Sequence, residues 1–165
     1  MKSEELIRLI DLATIDEKNF KRRFVGCLVL THHNKILLQQ RGSDWESFPD
    51  YLATFGGGID SGETPMQALV RELKEELGAK VNVDDVINLG VITEADTQHS
   101  ALIYVYFWHD KHHSITGCYE GESKYYDDCA AALSHPKIGE DVCWILRECQ
   151  KKGLLDDLIA PSSGK

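Results

Sequence analysis

The residues in this chain whose types and spacing could do chemistry lie in one stretch, where Gly56, Gly57 and Gly58 are followed by a segment carrying Glu72, Glu75 and Glu76. Thr64 as N-cap, Pro65 at the first helical position and Gln67 as the reciprocal capping side chain predict a helix that begins at Pro65. At about 100° per residue, Met66, Leu69, Val70, Leu73 and Leu77 form one apolar stripe, and the glutamates occupy an adjoining arc of about 100°. Like charges held this close repel one another unless cations sit among them, and hard divalent ions such as Mg2+ or Mn2+ take carboxylate and carbonyl oxygens. The glycines let the backbone come close to a ligand, with carbonyl oxygens for a metal or N–H groups for a phosphate. Charge alone favours a solvated acidic helix face.

Spacing separates the two readings. Gly57, five residues, Glu63, seven residues, then Arg71-Glu72-Leu73-Lys74-Glu75-Glu76-Leu77-Gly78 is a pattern whose chance occurrence in a chain of ordinary composition is on the order of 10⁻⁶. It resembles the Nudix box. The resemblance implies an α/β fold, the Nudix-type α/β/α sandwich with a mixed β-sheet, and a divalent-metal-dependent hydrolase that cleaves a pyrophosphate bond in a nucleoside diphosphate-linked substrate. Carried over by position, Glu72, Glu75 and Glu76 are the catalytic and metal-binding carboxylates. The Gly56 carbonyl is a further ligand, and Gly57 and Gly58 line the substrate. Which glutamate acts as base varies across the family. Glu63 and Arg71 pair to hold the loop against the helix. Phe55 stands where the family often has proline, Gly58 adds a third glycine, and Ala79 replaces a larger aliphatic residue.

Three further groups have weaker claims. Arg41 ends a strand that resembles the family strand whose basic residue touches substrate phosphate. Glu120 and Glu122 follow the predicted central strand, where many relatives supply another metal-binding carboxylate; a surface arginine and a polar loop explain these residues about as well. The run His109-Asp110-Lys111-His112-His113 has donors for zinc or nickel, although a loop is the simpler reading. Trp45, Phe55 and Tyr104 can stack on a base but default to core or loop roles.

The elements that must position these groups follow from pattern. Residues 24–31 and 35–41 predict a hairpin and 101–108 a central strand covered on both faces, while 122–159 reads as two helical segments broken near Pro136. Ser3, Leu6, Ile7 and Ile10 predict an accessory N-terminal helix. The division is residues 1–22 for that helix and its linker, 23–160 for the Nudix domain and 161–165 for a disordered tail.

At 165 residues the chain has the size of one domain, and a formal net charge of −9 argues against a nucleic acid polymer as partner. The absence of a long apolar run or a secretory-type start, together with an odd set of five cysteines, predicts a cytoplasmic protein with no membrane partner. The N-terminal helix either caps the sheet or builds a homodimer. Markers of the coenzyme A, NADH and ADP-ribose subfamilies are missing, with no proline between Pro65 and Pro136. Elimination therefore favours a nucleoside triphosphate or oxidised nucleotide as substrate, with a nucleotide sugar or ADP-ribose as the alternative. A Nudix module that senses a nucleotide without cleaving it ranks below both, because the box keeps its carboxylates.

Overall fold

A computed structural model of the chain describes residues 6–158. Eight strands form one sheet: β1 (Ile7–Ile10), β2 (Arg22–Leu30), β3 (Ile36–Gln40), β4 (Leu52–Ala53), β5 (Phe55–Gly58), β6 (Val86–Glu94), β7 (Ala101–His109) and β8 (Glu122–Tyr126). Along the sheet the order is β1-β6-β7-β2-β3-β4, with β5 paired to β2 and β8 to β3. The β2–β7 pair is parallel and the other pairs are antiparallel, so the sheet is mixed.

Covering it are helices α1 (Pro65–Leu77), α2 (Cys129–Leu133) and α3 (Glu140–Lys151). Ala68, Leu69, Leu73 and Leu77 of α1 pack with Val25, Cys27 and Leu102 on one face. Val142, Ile145, Leu146 and Cys149 of α3 pack with Leu28, Ile103 and Val105 on the other. This is the predicted α/β/α sandwich. Each fully buried leucine contributes roughly 1.5–3 kcal/mol, so the α1 stripe is a firm mount for the side chains beside it. No residue from Ala101 to Trp108 is more than 7% exposed, as expected of a strand covered on both faces.

Two expectations are corrected. Leu6 is helical as predicted, but residues 7–10 are not: they pair as an edge strand with β6, Ile7 opposite Glu94 and Ile10 opposite Val91. The apolar spacing of Leu6, Ile7 and Ile10 fits a helix face, but the open edge of β6 supplies backbone partners that a lone short helix cannot match. The predicted cap, Ser3, lies outside the described residues, as does the predicted tail, 161–165. In the C-terminal part, Glu122–Tyr126 is a strand on β3, and only after it do the two predicted helices follow on either side of Pro136.

Candidate active site

The glycine strand and the acidic helix meet residue against residue. Thr64 and Gln67 make the reciprocal capping box that begins α1. From there the helix runs along β5. The Gly56 N–H donates to Glu76 Oε1 at 2.8 Å. A Cβ placed on Gly57 would lie 2.7 Å from the Glu72 carboxylate, so that side chain rests directly on the Gly57 backbone. The Gly58 carbonyl accepts from Arg71 Nη2 at 3.0 Å. Gly56 itself has φ +147°, with a built Cβ only 2.0 Å from the Val25 carbonyl oxygen; no side chain fits there.

Arg71 organises the loop ahead of the helix. Its Nε and Nη2 donate to the two Glu63 oxygens at 2.7 and 2.9 Å, a bidentate geometry that adds direction as well as energy. Glu63 also accepts from the Asp60 N–H at 2.8 Å. These bonds hold its carboxyl down at about 2. Arg71 Nη1 reaches Glu72 Oε1 at 2.7 Å and Glu75 Oε1 at 3.3 Å, so the guanidinium lies between two carboxylates of the box.

The three glutamates differ in depth. Glu75 is exposed on the helix surface, Glu72 is half-buried, and Glu76 is only 2% exposed. Burial raises the Glu72 carboxyl, opposed by its bond to Arg71. Burial pushes Glu76 up to about 8; the Gly56 N–H opposes that rise, and the neighbouring charges of Glu72, Glu120 and Glu75 add to it. A buried carboxylate surrounded by other carboxylates is costly to ionise without a cation.

Glu120 therefore belongs to the same field, and it also acts on Arg41. Its position is set by Gln39 Nε2, which donates to the Glu120 carbonyl at 3.0 Å. Glu122 opens β8 opposite Gln40. Arg41 lies just beyond β3; its Nε and Nη2 donate to the Ser47 carbonyl at 3.0 and 2.6 Å, and its guanidinium stacks over Trp45 at 4.4 Å. Phe55 is fully buried, and the Tyr104 hydroxyl is hydrogen-bonded to Glu17.

The histidine run does not gather. His113 stacks on His32 at 3.6 Å between ring centroids, whereas His112 faces Asp85 at 3.9 Å. Among the described residues no three His, Cys, Asp or Glu side chains stand preformed as a coordination shell. The box glutamates are close in space, with Arg71 between two of them. As a donor set, carboxylates beside the Gly56 carbonyl fit a hard divalent ion.

Sequence reasoning missed a second acidic group. Arg41, Phe48, Tyr51, Glu94, Asp96 and Asp141 border a cavity of about 140 Å³, drawing on β6, α3 and the loop after β3. Burial pushes Glu94 up to about 8, with Asp141, Asp96 and Glu140 adding to the rise, and burial raises Asp141 as well. The only linear signal was a pair of acids at each of two ends, Glu94 with Asp96 and Glu140 with Asp141. An acid with a raised folded-state pKa costs nothing below its unfolded value of about 4.3, and its penalty grows as pH rises toward the folded value. Glu94→Gln is accordingly expected to melt a few degrees above the parent protein at pH 8, roughly 2–4 °C per kcal/mol relieved, and level with it near pH 4. Equal melting temperatures at both pH values would show that Glu94 ionises freely.

With this geometry in place, comparison with known proteins is decisive. The profile of the NUDIX domain matches residues 20–138. The chain belongs to the Nudix family. This Nudix hydrolase, an enzyme of the pyrophosphohydrolase class, is 27% identical over 139 residues to "Nucleoside triphosphatase NudI" of Enterobacter sp. (strain 638), covering 78% of this chain and 84% of that one. It is 36% identical over 85 residues to "Uncharacterized Nudix hydrolase all7351" of Nostoc sp., about half of each chain. Among solved structures, DR0079 from Deinococcus radiodurans superposes with a TM-score of 0.59 at 21% identity, over 84% of this chain and 90% of that one. The NUDIX domain of Shewanella oneidensis NrtR, complexed with ADP ribose, gives 0.59 at 21%, over 86% and 95%. At these identities the structures establish the fold. Nudix hydrolases generally need divalent metal ions. No helix among the described residues is long and apolar enough to cross a membrane.

Proposed function

We propose that this Nudix hydrolase cleaves nucleoside triphosphates, oxidised nucleotides included, to the monophosphate and pyrophosphate, using Mg2+ or Mn2+. The observation that carries the reading is the seating of Glu76 on Gly56 and Glu72 on Gly57, which brings two carboxylates against the glycine backbone. The 27% identity to a nucleoside triphosphatase across 84% of that relative supports the substrate class.

Glu72, Glu75, Glu76, the Gly56 carbonyl and Glu120 would hold the metal, with Glu122 less directly placed. When bound, the ion polarises the bridging phosphate, lowers the pKa of bound water and screens the anion. The chain's own part is to orient and to move a proton. Water oxygen adds to phosphorus as the anhydride P–O bond breaks, and the water proton passes to a glutamate. Glu72 suits that task because it is half-buried beside the glycine strand and burial raises its carboxyl above the ordinary glutamate value. Arg71 and Glu63 keep Glu72 and the glycine strand in register, an orienting duty that typically matters 10–100-fold.

The cavity beside Arg41 suits the nucleoside. Glu94, pushed up to about 8 by burial, can donate a hydrogen bond to a base edge, Asp141 adds a second carboxyl to the rim, and Phe48 and Tyr51 offer ring surface.

The test measures phosphate and pyrophosphate release with magnesium and then manganese across nucleoside triphosphates, oxidised triphosphates, nucleotide sugars, ADP-ribose and dinucleoside polyphosphates. Pyrophosphate release from triphosphates, abolished by chelator, is the expected result. Turnover confined to nucleotide sugars or ADP-ribose would replace the substrate assignment. Silence across the panel, with ligand-induced thermal shifts retained, would make the protein a sensor.

A further inference from the structure

The chain carries 27 acidic and 18 basic residues, yet four of the basic ones, Lys18, Lys21, Arg22 and Arg23, border a single cavity of about 570 Å³ that ends on Gly58. The one acid on its rim, Glu17, is taken up by Arg23 at 3.5 Å and by the Tyr104 hydroxyl. Lys18, Lys21 and Arg22 make no ion pair with any described residue. Arg22 is steadied by the Phe24 ring 5.2 Å away, and the backbone beneath Lys21 is tied to the sheet through the Ser100 carbonyl at 2.9 Å.

Unneutralised cations gathered at one cavity of an otherwise acidic protein create a local positive field that attracts anions. Position along β5 says which anion. Glu76 stands at Gly56, Glu72 at Gly57 and Arg71 at Gly58, and the basic cavity begins where that series ends. From Gly56 to Gly58 is two strand residues, about 7 Å at roughly 3.4 Å per residue. A polyphosphate laid along the strand from the carboxylate end therefore brings its outer phosphates to the cavity.

We propose that Lys18, Lys21 and Arg22 bind the outer phosphates of the nucleoside polyphosphate substrate, an inference that rests on the triphosphate reading for the identity of the occupant. The same chemistry would capture free pyrophosphate.

Calorimetry on the full chain in chelator, with inorganic pyrophosphate as probe, isolates this cavity, because without divalent ions the carboxylate cluster repels the anion. Pyrophosphate is expected to bind the parent protein, and at least about tenfold more weakly to Lys18→Ala/Lys21→Ala/Arg22→Ala, since each lost cation removes a favourable contact. Lys80→Ala/Lys124→Ala/Lys137→Ala, which removes an equal charge elsewhere on the surface, should bind within about twofold of the parent. Affinity should also fall with added salt. Should the triple variant not fold, Lys21→Glu alone makes the same comparison. For the enzyme, KM for a nucleoside triphosphate should rise about tenfold in the triple variant. No binding by the parent protein, or equal binding by parent and variant, overturns the site. Weakened pyrophosphate binding with an unmoved KM overturns the assignment to the substrate's own phosphates. If the whole panel of nucleotides resists hydrolysis while variant-sensitive pyrophosphate binding persists, the triphosphate reading fails and the anion site stands.

Discussion

Glu76→Gln is expected to lower turnover by at least about 10³-fold while making the protein more resistant to heat at pH 8. Loss of a positioned carboxylate that handles protons or charge in the transition state costs about 10²–10⁴-fold. The gain in stability comes from the same residue. Glu76 is 2% exposed and raised to about 8 by burial, so the metal-free protein is penalised increasingly as pH climbs from the ordinary glutamate range toward that value. Glutamine keeps an Oε1 to accept the Gly56 N–H and has no charge to bury. Near pH 4 the difference in melting temperature should vanish, because both side chains are then neutral. Glu75→Gln should lose turnover without that thermal gain, since Glu75 is exposed. Steady-state rates with metal, melting curves without it and far-UV circular dichroism settle the matter. Full activity in both variants would sink the site assignment.

The second large effect separates two neighbouring glycines. At Gly57 an added methyl first meets the Glu72 carboxylate, at 2.7 Å, and that carboxylate is the far end of a flexible side chain. Gly57→Ala should therefore fold, with stability within about 1 kcal/mol of the parent, while displacing Glu72; a shift of about 1 Å at a catalytic group can cost about 10²-fold in rate. At Gly56 the methyl meets the Val25 carbonyl at 2.0 Å, on a backbone with φ +147°. Neither can yield without opening the β2–β5 pairing, in which Gly56 faces Gly26. Gly56→Ala is expected to cost about 3 kcal/mol or more, and to show it as lost soluble protein or a much lower melting temperature. Should Gly57→Ala turn over normally, Glu72 would not need the place it holds; should Gly56→Ala melt like the parent, the tight approach of β5 to β2 would be wrong.

Both experiments probe features of different legibility. Much of the helix was readable: Thr64, Pro65 and Gln67 mark its start and Leu69, Leu73 and Leu77 its buried stripe, whereas Met66 and Val70 of the expected stripe are only partly buried, and each signal acts within a turn or two of chain. The spacing of the glycines, Glu63, Arg71 and the three glutamates was equally local, and it pointed to the Nudix family that the domain profile shows. The wheel could place Glu76 beside the apolar stripe. It could not say that β5 would close over it, since β5 is positioned by β2, some 30 residues earlier in the chain.

Longer-range choices were invisible for the same reason. Residues 7–10 have a helical rhythm and become a strand because β6, more than 80 residues away, offers an open edge. Glu94 and Asp141 are ordinary surface acids in the linear chain, and become a raised pair only where β6 meets α3 beneath Arg41. Lys18, Lys21 and Arg22 read as a linker until the end of β5 is set against them. The sequence by itself determined the helix, its N-terminal cap, the order of its carboxylates and the family. Tertiary structure alone decided how deeply each carboxylate is buried and which distant charges share its field, because desolvation and Coulomb terms depend on what surrounds a group in space.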